Sequence, residues 1–257
     1  MDMSHKHIYN LRPTPLSHEF HFSKLMVAPP STTPLPSKMD LRDGGLLDSV
    51  YNQGHIGSCT GNGFAAAFNY DLKLQGLTSL IPNPSRLFIY YNERDLIGMT
   101  NQDCGSSLGD GIATLQKYGV CSETTWGYDE AKYTTKPINE AYTEASSSTL
   151  LQFNSVNTLD DIKQSLANKH PVIVGFTLYP SFESRDVAET GIIPMPTLDE
   201  SPIGGHCVLI VGYDDEKQWL IVRNSWGESW GDAGYFYVPY TYLPKNLMEA
   251  YTLQTVK

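Results

Sequence analysis

The chain has 257 residues, 40% of them hydrophobic, with a formal net charge of −10 and four cysteines. That length buries a sizeable core as one large domain or two small lobes, and the acidic balance argues against nucleic acid as a partner, since phosphate binding wants a basic surface. No apolar run approaches the ~20 residues that span a bilayer, so no membrane partner is expected.

Residues 1–38 read as an N-terminal extension. Met1 to Leu16 lack a charged head followed by an apolar run, so no secretory signal is read. The expectation is a cytoplasmic protein, or one exported without a classical signal. His5, His7, His18 and His21 have no metal-ligand spacing and read as solvated side chains. Pro29-Pro30-Ser31-Thr32-Thr33-Pro34-Leu35-Pro36 is a stiff, extended linker by composition. No CxxC or zinc spacing occurs, so neither metal nor cofactor is expected.

From Met39 to about Leu150 the pattern is helical. The polar, Gly-rich loop Gln53-Gly54-His55-Ile56-Gly57-Ser58 leads into Cys59 and then Phe64 to Leu74, where apolar residues recur at helical spacing. Gly76 fits the stop. Cys59 is thus expected at the first turn, where free N–H groups and the helix dipole bias a thiol toward thiolate. Asn83-Pro84-Ser85 caps a second helix from Arg86 to Arg94. Ser106 or Ser107 caps a third, Leu108 to Tyr118, which Gly119 closes. Glu123 to Glu130 reads as an irregular loop.

After about Leu151 strands dominate. Thr158 to Asn168 is a short capped helix. Pro171 to Leu178, His206 to Tyr213, Trp219 to Arg223, Gly234 to Val238 and Ala250 to Thr255 read as strands, with the charged turn 214–217 between the second and third. Helices first and strands second give an α+β fold with two lobes. His206 opens an apolar strand and Asn224 follows another, an arrangement that suits a Cys–His pair. Singly, each residue has a structural reading: a loop glutamine, a core histidine, a turn-capping asparagine.

Gln53, Gly57-Ser58-Cys59, Gly205-His206 and Asn224-Ser225-Trp226-Gly227 with Trp230-Gly231 together closely resemble the papain-like cysteine peptidases. The likeness runs from about Met39 to the C-terminus. It implies a helical lobe (about 45–150) and an antiparallel β-barrel-like lobe (about 151–257) with the active-site cleft between them. It implies an endopeptidase acting on peptide or protein substrates through a thioester. Cys59 would be the nucleophile, His206 the proton shuttle and Asn224 the ring's orienter. Gln53 would belong to the oxyanion hole, and Trp226 would shield the His206–Asn224 bond. Carried over, Gly105 and Ser106 would offer backbone groups to an extended peptide. Gly204 and Gly205 would leave room for an apolar side chain two residues upstream of the cut.

The departures are Thr60, where the family usually has an aromatic residue, and Ile56, where it usually has a cysteine. The disulfide normally made there cannot form, and Cys104, Cys121 and Cys207 read as free thiols. Alternation along a strand turns Cys207 away from the cleft. The long helical propeptide is absent, which leaves room for residues 1–34 as a short segment lying over the cleft and inhibiting it. Two other functions fit the same residues: a catalytically retired peptide-binding relative, and an amidase or acyl-transferase using the same Cys–His pair.

Overall fold

The computed structural model describes residues 7–15, 34–148 and 151–255. The linker residues 29–33 and the histidines at 5, 18 and 21 lie outside them.

After β1 (Lys38–Asp40) a 3-10 turn, Leu41–Gly44, and an irregular loop lead to α1 (Cys59–Leu74). Helix α1 is buried on every side from Cys59 to Leu72, as a helix enclosed by a core must be. It packs on α2 (Arg86–Leu96), on α3 (Leu108–Tyr118) and on the sheet. Two glycines in a helix interior each cost about 1 kcal/mol relative to alanine. Close packing explains both. A Cβ on Gly61 would stand 2.5 Å from the Arg86 carbonyl oxygen, and one on Gly63 would stand 2.8 Å from the Cys207 sulfur.

Ser85 caps α2 by accepting from the Phe88 N–H. Ser107 and Asp110 form a reciprocal capping box at α3, so Ser107 rather than Ser106 is the cap. Arg94, fully buried in α2, donates to the carbonyls of Thr100 at 3.0 Å and Gln102 at 2.9 Å, and also to that of Tyr133. This one guanidinium shapes the loop that presents Asp103, Gly105 and Ser106. A short α4 (Asn139–Ala145) completes the helical lobe.

The second lobe comprises β2 (Leu151–Ser155), α5 (Leu159–Ala167), β3 (Val172–Leu178), α6 (Arg185–Thr190), β4 (Gly204–Asp214), β5 (Trp219–Arg223), β6 (Tyr235–Pro239), α7 (Leu243–Asn246) and β7 (Leu247–Thr255). The sheet is antiparallel throughout, in the order β2-β7-β3-β4-β5-β6, with β1 added on β4. Its edges, β2 and β6, do not pair, so the coiled sheet is not a closed barrel. β4 is apolar along nearly its whole length because helices cover both of its faces, α1 on one side and α5 on the other. A bulge between Ile210 and Gly212 bends it, and β1 pairs beyond the bend.

The sheet also takes in Lys38–Asp40, from before the helices, beside the strands after residue 151. Among the described residues, no helix is long and apolar enough to cross a membrane.

Candidate active site

The predicted residues come from four separate segments. Cys59 opens α1, with Ser58 as the residue before the first turn. His206 stands near the start of β4, opposite Phe176 of β3. Asn224, Ser225 and Trp226 follow the end of β5. Gln53 lies in the loop before α1.

Hydrogen bonds tie these segments together. His206 Nε2 meets Asn224 Oδ1 at 2.8 Å, and the same oxygen accepts from the Ser225 N–H at 2.9 Å. The Gln53 N–H donates to the Ser225 carbonyl at 2.8 Å, and Ser225 Oγ donates to Gln53 Oε1 at 2.6 Å. That leaves the Gln53 amide nitrogen to donate, and one of its N–H groups goes to the Ile56 carbonyl at 3.0 Å. Trp226 stacks on the His206 ring with centroids 5.1 Å apart, and Trp230 and Phe182 pack edge-on against Trp226. The buried His206–Asn224 bond is thereby walled by aromatic rings.

Cys59 and His206 are almost completely buried. Burial pushes the Cys59 thiol up to about 12, against an opposing hydrogen bond from the Cys207 backbone amide. Burial likewise lowers His206 to about 4, despite its bond to Asn224. Both groups are therefore neutral in this arrangement. His206 Nδ1, the nitrogen not used by Asn224, has no hydrogen-bond partner among the described residues.

The chain's own N-terminal segment covers this groove, with Tyr9 against His206 and Asn10 against Gly57, two residues before Cys59. Residues 7–15 cross the groove as a strap. The Leu11 N–H donates to the Gly205 carbonyl at 3.1 Å and the Arg12 N–H to the Ser106 carbonyl at 2.8 Å. A Cβ on Gly204 or on Gly105 would stand 2.1 Å from the carbonyl oxygen of Tyr9 or of Asn10. All four residues expected to meet an extended peptide thus lie against the strap. His7, read from sequence as solvated, instead stacks on Trp226 with centroids 3.7 Å apart, and Tyr9 sits edge-on to His206. Leu11 is buried among Gly175, Gly205, Met248 and Leu108. Thr14 is clamped by Glu249, which accepts from its N–H and its hydroxyl at 2.6 Å each.

One buried group beside the site, Glu93, gave no sequence signal. Thr60 donates to Glu93 Oε2 at 2.5 Å, so the position after Cys59 holds a hydrogen bond to a fully buried carboxyl. Burial pushes Glu93 up to about 8. Cys207 packs on Gly63, one turn beyond Cys59, and its backbone faces the Cys59 thiol. All four cysteines are free. Among the described residues, no cluster of three or more His, Cys, Asp or Glu side chains could hold a metal ion.

Residues 35–247 match the model of the family described as papain family cysteine protease. An uncharacterized peptidase C1-like protein of Acanthamoeba polyphaga mimivirus is 42% identical over 205 residues, covering 76% of this chain and 65% of that protein. Cathepsin S of Rattus norvegicus is 30% identical over 210 residues, covering 80% and 61%. The chain thus spans less than two thirds of the length of these curated relatives. Among solved structures, xylellain, a cysteine protease from Xylella fastidiosa, superposes with a TM-score of 0.84 at 34% identity, covering 97% of this chain and 96% of that one.

Proposed function

The chain belongs to the papain family of cysteine proteases, and from that premise we propose that it is an endopeptidase that cleaves peptide bonds through Cys59, His206 and Asn224. The observation that supports this most is the strap: an extended segment already crosses the groove beside His206, its backbone bonded to Gly205 and Ser106. A substrate would use the same carbonyls.

In the working enzyme the Cys59 thiolate attacks the scissile carbonyl carbon, and the carbonyl electron pair moves to oxygen. The second N–H of the Gln53 amide and the Cys59 backbone N–H receive that oxyanion. His206 Nδ1, the ring nitrogen that Asn224 does not hold, takes the thiol proton and later gives it to the leaving amine. The departing amine leaves a thioester, which water hydrolyses with His206 now acting as base. Asn224 holds the ring through Nε2, and its neutral amide orients the ring without adding charge. The pocket that takes Leu11, open because Gly175 and Gly205 have no side chains, suits an aliphatic substrate side chain.

The strap makes the resting chain self-inhibited, in this reading, both by occupying the groove and by keeping thiol and imidazole uncharged. Deleting residues 1–34 is expected to raise hydrolysis of a fluorogenic Leu-containing peptide at least tenfold, and Cys59→Ala in that background to abolish it. Equal rates with and without the segment would refute self-inhibition. No hydrolysis from either form would refute the peptidase.

The strap should also respond to pH. His206 is depressed to about 4 when covered, against an ordinary value of 6.5. Protonation therefore favours the uncovered state. The covered state is stable above about 6.5 and loses stability as pH falls toward about 4. In a Cys59→Ala chain, amide-exchange protection factors for residues 7–15 should fall roughly tenfold from pH 7 to pH 5. They should fall much less in Cys59→Ala/His206→Gln. Equal pH dependence in both chains would remove His206 as the cause.

A further inference from the structure

An anion trap works only if its two donors point at one oxygen, and here they come from segments with separate supports. Gln53 is anchored to Ser225 across the cleft. Cys59 is the first residue of α1. Between them run the turns of Gly54 to Gly57.

A single hydroxyl bridges this gap. Tyr128 donates to the Gln53 carbonyl oxygen at 2.7 Å and lies 2.6 Å from the hydroxyl of Ser58, the residue directly before Cys59. With the phenol proton on Gln53, Ser58 donates to the phenol oxygen and accepts from Asn62 Nδ2 at 3.1 Å. Asn62 also donates to the Ser58 carbonyl at 2.9 Å and accepts from Arg86 Nη1 at 3.3 Å. The Arg86 guanidinium lies over the Tyr128 ring at 4.0 Å and the Tyr51 ring at 4.4 Å, and is held by Glu123 at 2.6 Å. Gln53, Ser58 and Asn62 are all buried. The phenol, pushed up to about 12 chiefly by burial, keeps its proton at neutral pH and remains a donor.

We propose that Tyr128 is a positioning residue for the anion trap: its hydroxyl sets the spacing between the Gln53 amide and the Cys59 N–H, and it touches no substrate. The inference rests on the assignment of Cys59 and Gln53 made above. It is separable from simple packing, because the ring and its guanidinium contact survive removal of the oxygen.

The test compares Tyr128→Phe with wild type, both lacking residues 1–34. Four quantities are measured: kcat, KM, affinity for a peptide aldehyde and the rate of Cys59 alkylation by iodoacetamide. The aldehyde forms a tetrahedral adduct whose oxygen needs the trap; alkylation does not. Expected are a fall of roughly tenfold in kcat, KM within twofold, a matching loss of aldehyde affinity and unchanged alkylation. Ser58→Ala should act similarly, and the double variant should be no worse than the poorer single one. Unchanged kcat in Tyr128→Phe, or alkylation falling in step with kcat, overturns the inference. A wild-type chain with no peptidase activity overturns the underlying assignment instead, and this inference with it.

Discussion

Replacing Cys59 or His206 by alanine in the chain lacking residues 1–34 is expected to cut peptide hydrolysis by roughly 10⁴-fold or more, with the double variant no worse than the poorer single one. The two side chains act as one unit, since neither a thiol without a base nor a base without a thiol makes a thioester. Both substitutions shrink a buried side chain, so folding is checked first by near-ultraviolet circular dichroism. Loss of structure would make the kinetic result uninformative, and His206→Gln then supplies the same comparison at nearly constant volume. Strictly additive losses would mean that Cys59 and His206 work independently, contrary to the mechanism above.

Gln53→Ala should have the next largest effect. Removing one preorganised donor from an oxyanion costs about 2.7–4 kcal/mol of barrier, or ~10²–10³ in kcat. KM should change little, because the interaction forms only as charge develops on the oxygen. The substitution also removes the acceptor of Ser225 Oγ and a donor to the Ile56 carbonyl, both buried. Some loss of stability is therefore expected as well, of about 1–3 kcal/mol. A urea titration separates the two effects. A kcat loss that persists under conditions where the titration shows the variant fully folded assigns Gln53 to the trap. A KM increase at constant kcat would instead make it an ordinary binding residue.

The sequence carried the chemistry of this site further than its support. Cys59, His206 and Asn224 stand out by their motifs; the structure bonds His206 to Asn224 and sets the Cys207 backbone beside the Cys59 thiol. The elements that hold them were legible where the signal is local. The Ser107 cap of α3, the Thr158 cap of α5 and the bounds of β5 follow from capping chemistry and β-branched runs. What stayed hidden depends on contacts distant in sequence. The strand Lys38–Asp40 is three residues long and is defined only by its pairing with Asp214 to Gly212. α6 spans a charged hexapeptide with one buried residue, Val187, too little for a period to show.

Buried polar groups were the least legible. In Asn92-Glu93-Arg94-Asp95 nothing marks Glu93 and Arg94 as fully enclosed while Asp95 is exposed. Tyr128 read as part of an irregular loop because its hydroxyl matters only through Gln53 and Ser58, 75 and 70 residues away. The strap was legible as a short segment with room to cover the cleft. Leu11 as its anchor was not, since the pocket that holds it is built from residues of α3, β3, β4 and β7.

The most direct test of the account is the pH dependence of Cys59 alkylation by iodoacetamide in the chain lacking residues 1–34, compared with its His206→Ala variant. If thiol and imidazole form one unit once the strap is gone, the parent chain reacts rapidly well below pH 7. The variant should lose that low-pH reactivity and follow the titration of an unassisted thiol. Superimposable profiles for the two chains would mean that the imidazole never partners the sulfur, and the mechanism proposed here would be wrong.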